Sequence, residues 1–243
     1  PSLTASITAA PLAAKSPKKC SKSWTFRTRT HRKLTVVRII RDYDWPDILR
    51  QTPGGEGVWG DLQFTEDAAE RCDYVIISDR IMETEEVTCD PARIWALMHE
   101  PPNKVFRRLH RGPKCVCRVF TQDPSLKGDR YVHTQPALPW HVDHDYDWLQ
   151  SASKPDKTAG LSWITTNKTH FLGHRARMSF LQAIQNNMDF DLFGYGFEPI
   201  KNKWDGLAPY RYSLAIENFR NPYYWSEKIA DCFLAWAMPI YYG

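Results

Sequence analysis

The chain has 243 residues, 42% of them hydrophobic, and a formal net charge of +4. That length can bury one large or two small cores, and no apolar run reaches the ~18 residues of a membrane span. Ten of the 32 Lys and Arg residues fall in residues 1–41, which contain no Asp or Glu; the rest of the chain holds 22 basic and 28 acidic residues. This argues against a nucleic-acid enzyme, which keeps its basic charge on the folded body.

Residues 1–30, rich in Ala, Ser, Thr, Pro and Lys, read as a disordered basic tail or stalk. The first strand is Leu34 to Ile40, and Trp45 to Arg50 reads as a short helical turn. Gln51 to Gly60 holds four glycines and a proline. It lacks the Gly-Lys-Ser/Thr close of a P-loop and reads as a structured surface loop whose Trp59 could line an acceptor cleft. Tyr74–Ile77 and Ile94–Met98 are short apolar runs of the kind that form buried parallel strands. The second ends in His99-Glu100-Pro101-Pro102. A carboxylate just past a strand end is well placed for a site; local capping or pairing is the plain alternative, and His99 is a rival base.

Asn103–Arg108 reads as a basic, solvated helical face and Cys115–Phe120 as a strand. Cys115 and Cys117 would share a face of that strand as buried thiols; disulfides among the six cysteines are the alternative if the chain is lumenal. No Cys or His spacing matches a zinc site. Residues 121–160 read as a connection. His133, His141 and His144 lie there among Asp143, Asp145 and Asp147, where loop hydrogen bonding outweighs metal binding. Trp140–Trp148 could meet sugars. A second crossover unit follows: strand Leu161–Thr165, helix His174–Ile184, strand Phe190–Phe193, then the bend Gly194-Tyr195-Gly196. Trp204-Asp205-Gly206 is a turn signal.

The last stretch alternates at Tyr210, Tyr212, Leu214 and Ile216 as a strand. Ser226 can cap a helix with Ile229, Cys232, Phe233 and Trp236 on one face. Ile240–Tyr242 is the next parallel strand. Ligands of such units sit beyond the strand ends, against the helix N-terminus. Lys228 is the odd residue there. A cation in the first turn opposes the helix dipole by roughly 0.3–1 kcal/mol, a conflict that a bound phosphate would remove.

Three blocks carry a family resemblance: Tyr210-Arg211-Tyr212-Ser213-Leu214-Ala215-Ile216-Glu217-Asn218, then Tyr223-Tyr224-Trp225-Ser226-Glu227-Lys228, then Met238-Pro239-Ile240-Tyr241-Tyr242-Gly243. In order and spacing they resemble the donor-binding signature of glycosyltransferase family 10, the α-1,3/4-fucosyltransferases. Arg211, Ile216, Tyr223 and Ser226 depart mildly from it. The resemblance covers about residues 31–243, weakly before residue 161.

The resemblance implies an α/β fold of GT-B type, two Rossmann-like domains facing a cleft. Residues 31–152 would form the acceptor side and 153–243 a donor domain that stops short of the family's end, so the chain reads as a fragment. It implies transfer of L-fucose from GDP-fucose to a glycan hydroxyl with inversion and no required metal or cofactor. Glu100 would be the base. Asn167, Arg177, Glu217, Asn218, Tyr224, Glu227 and Lys228 would hold the donor, Arg177 gripping the diphosphate and Glu227 the ribose. Phe180 and Gly194 match the family pattern, and Arg175 competes with Arg177 for its role. Another nucleotide-sugar donor, or a non-catalytic carbohydrate- or nucleotide-binding module, are the alternatives. Eukaryotic members work on the lumenal side of the Golgi membrane, and bacterial members in the cytoplasm. Any membrane anchor would lie outside this chain.

Overall fold

The computed structural model describes residues 33–44, 46–68, 71–81 and 86–243. The expected tail of residues 1–30 and Trp45 lie outside them. Residues Lys33–Gly243 form one unit. Its first seven strands are β1 (Thr35–Ile40), β2 (Val58–Trp59), β3 (Leu62–Thr65), β4 (Tyr74–Ser78), β5 (Ile94–Leu97), β6 (Arg118–Thr121) and β7 (Tyr131–His133). They form one sheet in the order β2-β3-β1-β4-β5-β6-β7. Every pair is parallel except the β2–β3 hairpin. The apolar runs of β4 and β5 occupy its centre, and Val75, Ile77, Ala96, Met98 and Val119 are packed in its core. Parallel strands covered on both faces need continuous apolar runs of this kind.

The expected short helical turn ending at Arg50 is present as a 3-10 turn at Leu49–Gln51. The expected helix at 103–108 is not there; turns lead instead to another 3-10 turn at Leu109–Arg111. Asn103 explains this: its side chain accepts the amides of Val105 and Phe106 and offers the backbone a turn in place of a helix. Cys115 is exposed and Cys117 partly exposed, both ahead of β6, so they do not share a buried strand face. The expected loop of residues 51–60 contains β2.

The connection from residue 121 onward holds β7 and a one-and-a-half-turn helix, α1 (Tyr146–Ser151), capped by Asp145. The second sheet follows: β8 (Ala159–Ile164), β9 (Asp191–Phe193), β10 (Tyr210–Ile216) and β11 (Met238–Tyr242), all parallel, in the order β11-β10-β8-β9. The helix α2 (Leu172–Ile184) crosses from β8 to β9, and α3 (Glu227–Leu234) from β10 to β11. Leu181 of α2 packs with Trp163, Leu214 and Ile216.

On α3 the expected apolar face is rotated. Cys232 is buried, but Phe233 and Trp236 are 60% and 40% exposed, and Asp231 takes the inward place. The reason is polar: Asp231 accepts the amides of His141 and Val142. Pro239 sits in β11, a sheet edge, where a missing N–H costs no ladder bond.

The two sheets meet at the C-terminal ends of their strands. Asn221 donates its side-chain amide to the Gln122 carbonyl at 2.6 Å, His133 stacks on Tyr223, and Phe106 meets Phe171 edge-on.

Candidate donor site at the start of the last helix

The site begins with a close approach of two backbones. A Cβ at Gly173 would lie 1.7 Å from the Asn218 carbonyl oxygen. Only glycine lets the first turn of α2 abut the end of β10. One turn on, this delivers Arg177 and His174 beside the N-terminus of α3. Gly194, at φ 114°, does the same between β8 and β9, where a Cβ would meet the Thr165 carbonyl at 2.0 Å.

The result is a cavity of about 320 Å³ lined by the ends of β8 and β10 and the first turn of α3. Four cations face it, Lys168, Arg177, Lys203 and Lys228, against two carboxylates, Glu227 and Asp231. Lys203 is tied down between the two, at 3.0 Å from Glu227 and 2.8 Å from Asp231. Burial alone would depress its pKa, but these carboxylates hold it above the ordinary lysine value. Burial likewise works to raise the pKa of Glu227, and Lys228, Lys203 and His141 hold it well below the usual carboxylate range. Glu227 is therefore an anion at neutral pH, and its Oε1 is 3.6 Å from the Lys228 ammonium.

Arg177 differs. It is 6% exposed, and its guanidinium has no hydrogen bond or ion pair among the described residues, with Nε fully buried. Burial lowers its pKa against the pull of Glu217. His174 beside it is also buried, its Nδ1 without a partner, and burial and Arg177 both lower its pKa. A buried charge without a partner is costly.

Of the residues expected to hold a donor, Arg177, Glu227 and Lys228 come together here. Glu217 lies beneath them. Its carboxylate accepts the Ser226 amide at 2.7 Å and the Ser226 hydroxyl, and pairs with Lys228 at 3.3 Å. Ser226 stands at the N-cap but makes no capping bond with its side chain, because its hydroxyl is turned back to Glu217. Glu217 thus locks β10 to the start of α3 and has no free oxygen for a ribose.

Tyr224 is buried, and its hydroxyl donates to Asn218 at 3.3 Å. It supports Asn218 on the neighbouring groove along α2 and does not line the cavity. Asn167 flanks the cavity, its amide against Gly196 and its N–H bonded to Tyr195 O. Arg175 is exposed and bonded to the Thr169 carbonyl, which leaves Arg177 as the inward cation. Phe180 is 41% exposed and lines the groove along α2 rather than the cavity. Lys203 was missed because Trp204-Asp205-Gly206 signals a turn. The turn is there, and it carries the lysine into the cavity.

Glu100 belongs to the first sheet, just past β5. It lines a second cavity with Asp42, Asp79, Arg80, His99 and His141. Its carboxylate makes no hydrogen bond or ion pair among the described residues. Glu100 is exposed at the cavity's edge; partial desolvation there, then Asp79 and Asp42, raise its pKa, while Arg80 and Lys228 oppose them. Lys228, at the start of α3, is thus among the charges that act on Glu100. His99 offers less as a base. Its Nδ1 is engaged by Ser78 at 2.8 Å and Tyr43 at 3.0 Å, its Nε2 is buried, and burial lowers its pKa despite Asp79. The other histidines of the connection go separate ways: His133 to the Asp123 carbonyl, His141 to Glu227, His144 onto the face of Trp148.

No family model matches the chain. Curated relatives do. A human 3-galactosyl-N-acetylglucosaminide 4-alpha-L-fucosyltransferase is 26% identical over 155 residues, 62% of this chain and 40% of that protein. A 4-galactosyl-N-acetylglucosaminide 3-alpha-L-fucosyltransferase of Pan troglodytes is 28% identical over 162 residues, again 62% and 40%.

The chain is similar to the α-1,3/4-fucosyltransferases. It spans about 40% of the length of these relatives. Crystal structures of an alpha1,3-fucosyltransferase, without and with GDP, share its fold at TM-scores of 0.50 and 0.51. They are 14% and 15% identical to it and cover 90% and 91% of this chain, 71% and 72% of their own. The fold is thus α/β of GT-B type. The fucosyltransferase resemblance read in residues 210–243 leads to the same relatives.

Proposed function

We propose that this chain carries the catalytic cleft of a fucosyltransferase that moves L-fucose from GDP-fucose to a hydroxyl of a glycan, with inversion. The observation that carries the reading is the buried guanidinium of Arg177, without a partner among the described residues, in one cavity with Lys228 at a helix N-terminus. The resemblance to fucosyltransferases and the GDP complex of a structural neighbour support the choice of donor.

In the mechanism, a Glu100 carboxylate oxygen removes the proton of the acceptor hydroxyl. The acceptor oxygen attacks the anomeric carbon from the face opposite the diphosphate, and the bond from that carbon to the phosphate oxygen breaks. GDP leaves with the electron pair. Its charge grows against Arg177, Lys228 and the free N–H groups of α3, donors already fixed in place. Glu227, anionic and held by Lys203, accepts the ribose hydroxyls. Asn218 borders the donor side, and Asn167 supports the bend that closes it. Two fixed cations carry the leaving-group charge, so the scheme calls for no metal. A lumenal Golgi placement goes with this reading, by the primate relatives, and immunolocalisation of the tagged protein tests it.

Calorimetric titration of GDP-fucose, GDP-mannose, GDP and UDP-galactose into the chain tests the donor. Binding of GDP and GDP-fucose, weakened by Lys228→Ala, is expected. Preference for another sugar nucleotide would replace the donor. Binding without turnover on a 4-galactosyl-N-acetylglucosaminide would favour a non-catalytic module, and absence of any guanine-nucleotide binding would end the proposal.

A further inference from the structure

Glu100 has a free carboxylate but an unusually constrained main chain. β4 ends at Ser78, and the next residue, Asp79, is buried with φ at +58°, in the left-handed region. Asp and Asn enter that region more readily than other side chains with a Cβ. The turn ends the β4–β5 ladder, whose last bond is from Asp79 N–H to the Leu97 carbonyl at 2.9 Å. Beyond it, the amides of His99 and Glu100 have no strand opposite them. The Asp79 side chain fills that gap: its Oδ1 accepts His99 N–H at 2.8 Å and Glu100 N–H at 3.3 Å. On the other side, the Glu100 carbonyl accepts from Nε2 of His110 at 2.8 Å. His110 is fully buried, with its Nδ1 2.6 Å from Thr121 Oγ1.

We propose that Asp79 is a positioning residue for Glu100: with His110 it clamps the Glu100 main chain from both sides and aims the unbonded carboxylate into the cleft. This rests on the reading of Glu100 as base. The Asp79 charge has a second effect. The groups that share the Glu100 cavity are Asp79 just past β4, Asp42 and Arg80 (an ion pair) beside it, and Tyr43, His99 and His141 on the wall; the Lys228 charge of α3 also acts on Glu100. After burial, Asp79 is the largest influence raising the Glu100 pKa. Neutralising it should lower that pKa.

Three variants separate the two effects. Asp79→Asn keeps an acceptor oxygen and tolerates the positive φ, but removes the charge. Asp79→Ala removes the bonds, and Asp79→Gly removes them while relieving the backbone. Transfer from GDP-fucose to a 4-galactosyl-N-acetylglucosaminide is expected to lose about 10²-fold in kcat with Ala and with Gly, the cost of a base displaced by about 1 Å. The KM for GDP-fucose should not change. With Asn most of kcat should survive, and the acid limb of kcat/KM should move to lower pH. A ¹³C titration of the Glu100 carboxylate should move the same way, independently of turnover. Wild-type kcat in a folded Gly variant would overturn the clamp, and an unmoved Glu100 titration in the Asn variant would overturn the charge effect. Glu100→Gln distinguishes the failures: if it is inactive while the Gly variant is not, only the clamp falls. If Glu100→Gln retains full turnover, the base assignment falls and takes the clamp with it.

Discussion

The ends of the two sheets solve opposite electrostatic problems with the same topology. Both gather their chemistry past the C-terminal ends of parallel strands, where side chains converge and backbone groups run out of partners. At the first sheet, Asp42, Asp79 and Glu100 crowd together, moderated by Arg80. At the second, four cations outnumber two carboxylates, and Arg177 has no partner among the described residues. Crowded carboxylates keep a proton acceptor basic. Crowded, unpaired cations favour an anion at a cost in stability. On the proposed reading, the two ends carry the opposite polarities that proton removal and diphosphate departure require.

Removing one pole at a time breaks the comparison most sharply. Glu100→Gln should lower kcat by about 10²–10⁴-fold, the usual worth of a positioned base, and leave GDP affinity unchanged by calorimetry. Arg177→Met should weaken GDP binding by about 30-fold or more, given ~2–5 kcal/mol for truncating one partner of a buried charge pair. The same variant should melt no lower than wild type without nucleotide, because it deletes an unpartnered buried charge; a lower Tm would mean the guanidinium is structural. Lys228→Ala should cut kcat/KM about 10–100-fold, from the ~1.5–3 kcal/mol of a hydrogen bond to a charged group, with little change in Tm. Unchanged turnover would sink that assignment. Glu217→Ala should instead act on stability, by about 1–3 kcal/mol for the amide and hydroxyl left unsatisfied, read by urea denaturation.

The smallest effect is in pH. Glu227 has a folded pKa held below its unfolded value, so its contribution is complete above about pH 4.3. It is lost as the pH falls through the folded value. Glu227→Gln should flatten the acid side of the stability curve, and an unchanged curve would contradict the ion-pair geometry.

What could be read in advance follows from where each signal resides. The second sheet was legible because strand, helix and strand alternate cleanly there, and because Glu227-Lys228 puts both signs in one helical turn. The first was less so. Its crossovers use 3-10 turns, which leave no hydrophobic period, and Asn103 redirects a segment that by composition reads as helix. Glu217 and Tyr224 could be assigned to the neighbourhood but not to their roles. Only the fold turns one beneath the cavity floor and the other under Asn218. Lys203 and Asp79 lie in turns, where spacing says nothing about direction.

Asp231 is buried in α3 with both oxygens occupied, one by Lys203 of the cavity and the other by the amides of His141 and Val142 in the connection between the sheets. Those two amide protons can exchange with solvent only when that carboxylate lets go. Hydrogen–deuterium exchange at His141 and Val142 would thus report, from the connecting segment, how firmly the donor cavity is held, before and after nucleotide is added.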